Sequence, residues 1–312
     1  MSEESREDDF DVDVFESNES LGVDAEGRWV ELPHAGMLTI EDADHLLRWR
    51  SAYVIAVVGE RNGGKTTLVT ELYERYLRGP FAGYSYAQSL TMMGFEMKSF
   101  QSRADSGAEL PDTPRTSKQD GLKFFHLALS SERQPRVDLL ISERAGETYR
   151  DVRDRPVQAT SIIEVQKAVK VVFILDGERV ADPLRRSEAI ASVRLLARAF
   201  FDSGSISSAA ELQLVTTKWD LLNVDALEKA RTVLADFEKN FVEAYTGRGM
   251  KASTFRVAAR DPKGCLEAGY GMAPLLQSWL EPAAQAKFCA PPLPNLVDEF
   301  DRLLIRRKFD EH

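Results

Sequence analysis

An α/β architecture is predicted here, built on a mainly parallel six-stranded sheet with one antiparallel strand and helices on both faces. Two features of the sequence predict it. Short runs rich in β-branched apolar residues alternate with longer segments of helical spacing, the pattern of strands buried on both faces and joined by crossover helices. The first run also feeds a glycine-rich turn that opens directly into a helix, which sets the order strand, turn, helix at the start of the sheet.

Taken in order, residues 41–50 predict a short helix with Thr39 or Ile40 at its start. Residues 53–58 (YVIAVV) are the first strand. Residues 66–78 place Leu68, Leu72, Tyr73 and Tyr76 on one side of a helix that Gly79 and Pro80 end. The long stretch 81–121 is mixed, with a helix around 89–103 and then a loop of Gly, Pro, Ser and Thr. Residues 122–129 and 137–142, joined by a turn-like connector, predict a hairpin and so the antiparallel strand. Residues 169–175 (VKVVFIL), 212–216 (LQLVT) and 254–258 complete the sheet, and 183–201, 225–245 and 272–280 are its later helices.

The 312 residues, 43% hydrophobic and 29% charged, hold ample material for a packed core. The expected organisation is an acidic disordered tail at 1–20, an extension with a short helix at 21–51, a main domain at 52–282, and a linker with an amphipathic helix at 283–312. The net charge is −10, and the tail alone carries nine acids against one arginine, so the remainder is near neutral and unsuited to grip a nucleic-acid strand. Phe10, Val12, Val14 and Phe15 interleave with the tail carboxylates. A solvated tail accounts for them, ahead of a peptide that adds to a partner's sheet edge. No apolar run is long enough to span a bilayer, so no membrane insertion is expected. The acidic N-terminus is neither a secretory signal nor a transit peptide. Two cysteines, Cys265 and Cys289, make neither a disulfide framework nor a metal spacing. A reduced, cytoplasmic protein is the expectation.

The turn after the first strand reads Gly59-Glu60-Arg61-Asn62-Gly63-Gly64-Lys65-Thr66, with Thr67 following. It fits G-x-x-x-x-G-K-[ST], a P-loop. Its glycines let backbone N–H groups curl round a phosphate, and the helix behind it points its positive end at the anion. Lys65 adds a charge on the outer phosphates, and Thr66 offers a hydroxyl to Mg²⁺. A chance glycine-rich turn would not be flanked by both a buried strand and a helix. The predicted ligand is a nucleoside triphosphate.

Thr217-Lys218-Trp219-Asp220 follows the 212–216 strand. A carboxylate there accepts from both N1 and N2 of guanine, whereas adenine would leave it unpaired. The Lys218 stem can lie along the base, with Trp219 packed nearby. T-K-x-D alone is a weak four-residue match; behind a P-loop and at the end of a later strand it selects GTP.

With these motifs in order, the chain resembles the Ras-like, translation-factor-related (TRAFAC) P-loop GTPases over roughly residues 53–280. Glu143-Arg144-Ala145-Gly146 looks like their switch II motif D-x-x-G, with Glu143 in place of Asp. The resemblance implies that Gly146 contacts the γ-phosphate and that Glu143 holds Mg²⁺. Val257-Ala258-Ala259-Arg260 is similar to the S-A-K motif, which implies that Ala259, beside Ala258, supports the guanine O6. Thr113 or Thr116 stands where a switch I threonine is expected, Thr116 preferred. More narrowly, Ser142 to Tyr149 and the long region before it resemble bacterial GTPases of the double-GTPase type. That likeness implies GTP/GDP and Mg²⁺ as ligands, a second GTPase as partner and a role in conflict or defence signalling.

Phosphoryl transfer rests on positioning and charge neutralisation. In much of the family a Gln after the switch II glycine orients water; here it is Glu147, so Lys65 and Glu147 are the catalytic candidates. Glu147 brings negative charge beside a polyanion, and Glu143 is one methylene longer than Asp. Both departures imply slow turnover, with a pseudo-GTPase that holds GTP without hydrolysis as the alternative. Arg144, Arg150, Arg153 and Arg155 read first as a solvated face paired with nearby acids, and second as a source of an arginine finger; Arg61 is a further candidate for that finger. His34, His45, His126 and His312 do not cluster, and His126 reads as a packing residue. Asp176-Gly177 is explained equally by a turn or by approach to the nucleotide. Met92, Met93 and Phe95 read as core.

Overall fold

Within the residues that the computed structural model describes, 35–100, 121–261 and 264–281, a capping box opens the first helix. Thr39 accepts from the Asp42 N–H, and Asp42 accepts from the Thr39 N–H, so α1 runs over Ile40–Trp49. The order continues as β1 (Ala52–Val58), α2 (Lys65–Leu77), β2 (Ser85–Gln88), α3 (Met92–Phe100), β3 (Lys123–Ser130) and β4 (Val137–Glu143). Then come α4 (Gly146–Asp154), a 3₁₀ turn at Pro156–Ser161, α5 (Ile163–Lys167), β5 (Lys170–Asp176), α6 (Gly177–Ala181) and α7 (Arg186–Asp202). The remainder is β6 (Glu211–Thr217), α8 (Trp219–Leu222), a 3₁₀ turn at Asp225–Leu227, α9 (Glu228–Thr246), β7 (Lys251–Arg256) and α10 (Met272–Leu280).

The sheet order is β2-β3-β4-β1-β5-β6-β7. β1 is parallel to β4 and β5, and β6 and β7 continue in the same sense. β3 runs against both of its neighbours, β2 and β4. The expected hairpin is therefore present, and the sheet has seven strands where six were predicted. The extra one, β2, is a short edge strand, Ser-Tyr-Ala-Gln, with little apolar signal to reveal it. β7 lies a few residues earlier than the predicted 254–258. Its apolar residues gather at its end, where Val257 and Ala258 bury after the strand has stopped.

Alternation along the central strands divides the core. Ala56, Val58, Val171, Phe173 and Leu175 face a layer of α4, α7 and α9, with Tyr149, Val152, Phe200 and Phe241. Ile55, Val57, Val172 and Ile174 face α2, α3 and α10, with Leu68, Phe95, Leu276 and Trp279. Burial on both faces is why these strands read as continuous apolar runs. Phe95 is core, stacked between Tyr73 and Phe125. Met92 and Met93 are not: both are exposed on α3, because a helix packed on one side turns its remaining positions to water. His126 is fully buried on β3 and hydrogen-bonded to Asp138.

Because β4, β1, β5, β6 and β7 share one direction, their carboxyl ends share one edge of the sheet, where open α/β sheets present their crevices. The expected tail at 1–20, the extension up to residue 34, the segment 283–312 and both threonines Thr113 and Thr116 lie outside the described residues.

Candidate functional site

At the carboxyl end of β1 the chain turns back on itself. Asn62 and Gly64 take positive φ, 61° and 84°, and Gly64 caps α2. The thirteen-residue α2 thus presents its first N–H groups to the crevice, with Thr66 and Thr67 in its first turn. The Lys65 ammonium is buried and donates to the Gly59 and Glu60 carbonyls, both at 2.9 Å, so it lies across the inside of its own loop. Burial pulls its pKa below the usual lysine value, against the charges of Glu143, Glu147 and Glu60, which act to raise it.

Glu143 closes β4, the strand beside β1, and is 1% exposed. Its Oε1 accepts from the Thr66 hydroxyl at 2.6 Å. A hydroxyl and a carboxylate oxygen facing one another suit a small hard cation with oxygen ligands, so the residues present fit Mg²⁺. Three residues later the chain enters α4 at Gly146. A β-carbon on Gly146 would press into the backbone of Glu60 and Arg61, so only glycine lets the start of α4 lie directly on the turn after β1. Glu147 stands in the first turn of α4 with Arg61 Nη1 3.7 Å from its Oε1.

The β6 end reaches the same loop. The Thr217 hydroxyl donates to the Gly63 carbonyl at 2.8 Å and to Leu175 O at 3.3 Å, and it is a tether rather than a surface group. Lys218, with φ 50°, turns its ammonium to Asp176 at 3.1 Å and Glu178 at 2.7 Å. Those carboxylates outweigh burial and hold its pKa above the usual value. Trp219 is buried in the core under the Arg256 guanidinium, 4.6 Å from its ring. A large apolar ring at this position gains more by core burial than by exposure in a crevice. Asp220, in α8, is half-buried, and burial together with the Asp261 charge raises its carboxyl pKa. Ala258 spends its N–H on the Tyr270 carbonyl at 3.0 Å.

Several residues that sequence reasoning passed over also shape this site. Asp176 caps α6 through the Glu178 N–H and holds Lys218. Gly177 lies so close to the Thr217 carbonyl that a β-carbon would collide with it. The Asp-Gly pair at the end of β5 was the available signal, and a turn explained it equally well. Glu60 is the larger omission. It is an acid inside a phosphate-binding loop, and the structure turns its side chain away to meet Arg153, Arg179 and Ser192. Arg144 is likewise not a solvated residue. It forms two bonds to Glu164, at 2.6 and 3.0 Å, and the buried Tyr149 hydroxyl joins the same carboxylate.

The chain overlaps several solved structures. The signal recognition particle receptor complex SRb-GTP/SRX from Chaetomium thermophilum is 16% identical over 69% of this chain and 94% of that one, with a TM-score of 0.40. The mammalian SRP receptor is 15% identical over 72% and 98%, TM-score 0.37. The ADP-ribosylation-factor-like GTP-binding protein, small COPII coat GTPase SAR1, from Encephalitozoon cuniculi in complex with GDP is 15% identical over 70% and 74%, TM-score 0.30. Overlaps of this size carry no weight for the ligand of this chain. Among curated proteins nothing matches it. A family sequence model does, across the whole sheet from β1 to α10. By that match over residues 53–280, which takes in the phosphate loop, Glu143, Gly146 and Asp220, the chain belongs to the double-GTPase 2 family and is a GTP-binding protein.

Proposed function

We propose that this chain binds GTP with Mg²⁺ in the crevice at the carboxyl ends of β1, β4, β5 and β6 and hydrolyses it slowly, as a nucleotide-dependent switch. One observation carries the reading: the Thr217 hydroxyl on the Gly63 carbonyl, 2.8 Å, joins the T-K-x-D segment to the phosphate loop. A base held at Asp220 and phosphates held at Lys65 then belong to one ligand. In this reading Gly59, Arg61, Asn62, Gly63, Gly64 and Thr67 line the phosphates, and Gly146 lies at the γ-phosphate end. Lys218 and Ala259 flank the base, with Thr217 and Ala258 fixing their backbone. Thr66 and Glu143 hold the cation, which neutralises phosphate charge when bound; Thr116 is the remaining metal candidate. Glu147 orients the attacking water, with Arg61 beside it to offset its charge.

The partner we infer is a protein, a second GTPase in keeping with the family's name, in a bacterial conflict or defence system within the cytoplasm. No helix among the described residues is long and apolar enough to cross a membrane.

The test is nucleotide competition followed by phosphate release. GTP and GDP should displace a fluorescent guanine nucleotide while ATP does not; equal displacement by ATP refutes the guanine reading. A second reading, binding without turnover, is favoured by the carboxylate at Glu147 and its pairing with Arg61. Phosphate release above buffer from purified protein selects hydrolysis, and nucleotide binding with no release selects the second reading.

A further inference from the structure

Glu60 is a carboxylate in the one loop where negative charge opposes the ligand, and it is only 9% exposed. Its side chain points away from the crevice and collects three donors from three elements. Arg153 Nη1, from the last turn of α4, meets Oε1. The Ser192 hydroxyl, from α7, donates to the same oxygen at 2.6 Å. Arg179 Nη1, from α6, donates to Oε2 at 2.8 Å. Signs alternate outward from this centre: Arg153 also holds Asp154 at 2.8 Å, and Arg179 holds Glu188 at 3.1 Å. Burial alone would raise the Glu60 pKa, but the three donors prevail and hold it below the usual carboxylate value. A buried acid with this many charge-assisted partners is fixed in place.

The other end of α4 is held by the same loop, since Gly146 rests on the Glu60–Arg61 backbone with no room for a side chain. Between the two ends, Tyr149 and Val152 are fully buried in the core. A switch II that swung out would have to expose both side chains, break the Arg144–Glu164 pair and strip Arg153 from a buried carboxylate. These costs fall together, because a single helix carries Tyr149, Val152 and Arg153.

We propose that Glu60 is a positioning residue for switch II: through Arg153 it ties the far end of α4 to the phosphate loop, so that Gly146 and Glu147 are kept at the γ-phosphate end in every nucleotide state. The proposal deepens the GTP reading and rests on it. Its consequence is that α4 does not relax when GTP becomes GDP, so the nucleotide-dependent change of the proposed switch falls outside α4.

The experiment is hydrogen exchange of the full chain, nucleotide-free, with GDP, and with a non-hydrolysable GTP analogue, alongside steady-state GTP turnover. In the wild type, amides of residues 146–154 should exchange within about twofold across the three states. Glu60→Gln keeps the shape and removes the charge. It should speed exchange of those amides about tenfold without nucleotide and with GDP, while α9 keeps its wild-type protection. It should also lower kcat about tenfold with KM changed far less, the pattern of lost positioning. Arg153→Met, at the other end of the tie, should give the same pattern, and the double variant should be no worse than either single one. Wild-type α4 amides that exchange much faster with GDP than with the GTP analogue would overturn the proposal. So would wild-type α4 exchange in both variants. If GTP fails to bind at all, the functional reading falls, while the nucleotide-free comparison of wild type with Glu60→Gln and Arg153→Met still decides the tie.

Discussion

The Thr66 hydroxyl donates to the Glu143 carboxylate at 2.6 Å, joining the first turn of α2 to the end of β4. We expect Glu143→Gln to raise the Mg²⁺ concentration for half-maximal GTP binding roughly tenfold, the scale of one charge-assisted bond of about 1.5 kcal/mol. Magnesium titration against a fluorescent GTP analogue measures it. An unchanged magnesium requirement would remove Glu143 from the cation site.

Asp220 offers the only carboxylate of T-K-x-D, and its backbone is fixed by β6 and by the Trp219 N–H on the Val257 carbonyl at 3.1 Å. Asp220→Asn keeps the shape and reverses one hydrogen-bond role. It should weaken GTP by about 2 kcal/mol or more, since a site built to accept from guanine is left mismatched, and it should improve xanthosine triphosphate. Competition binding with both nucleotides checks this. A variant that still prefers GTP would place the base elsewhere.

Lys65 spends its ammonium on two loop carbonyls, an arrangement a phosphate can take over without moving the backbone. Lys65→Ala should lose about 3 kcal/mol of triphosphate affinity, roughly 100-fold, with the secondary structure intact by circular dichroism. Retained affinity would refute the phosphate site.

Much of this was legible in the sequence, for reasons that differ by element. The central strands declared themselves because burial on both faces leaves no polar alternation, and α2 because its Leu68, Leu72, Tyr73 and Tyr76 repeat with helical spacing. The site motifs were legible because each sits just after such a strand. What stayed hidden was short or polar. α5, α6 and α8 span at most five residues, too few to display a helical period. α4 is longer but reads as a run of charges. Its two buried side chains, Tyr149 and Val152, are meaningful only once it packs on α7. The Glu60 contacts join residues up to 132 positions apart, a separation that no local pattern reports.

His126 gives a pH dependence with a definite sign. Its Nδ1 accepts from the Leu90 N–H at 3.0 Å, so Nε2 carries the proton that Asp138 receives at 2.9 Å. Burial, aided by the charges of Arg136 and Arg50, pushes its pKa below 6.5, although the Asp138 carboxylate opposes this. Protonation at Nδ1 would also break the Leu90 bond. The unfolded chain therefore binds a proton before the folded one does. Stability from this residue is complete above pH 6.5 and falls as pH drops through that value toward the lower folded pKa. The slope approaches about 1.4 kcal/mol per pH unit for one proton. Asp138 is itself held below its usual 3.8 and does not titrate in this range. Urea midpoints between pH 7.5 and 5.5 should fall in the wild type and lose that part of the slope in His126→Gln. Equal slopes would assign the acid sensitivity to other groups.

Gly177 lies where β5 passes into α6, and the Thr217 carbonyl and the Lys218 backbone occupy the space a side chain would need. Its neighbour Asp176 holds the Lys218 ammonium, so two adjacent residues of one turn set the height of T-K-x-D above the sheet. Gly177→Ala cannot be absorbed by a flexible side chain, because the obstacle is backbone. The β6 end must shift, and the Thr217 bond to Gly63 is the first contact in its path. Overpacking of this kind costs about 1–3 kcal/mol of stability. The more telling effect is on recognition. Displacing T-K-x-D moves Asp220 while leaving Lys65 and the loop glycines unaltered, so discrimination between GTP and ATP should fall further than affinity for inorganic triphosphate. Paired titrations with GTP, ATP and triphosphate separate the two. If Gly177→Ala weakens all three equally, the turn supports the fold as a whole and not the base end of the crevice.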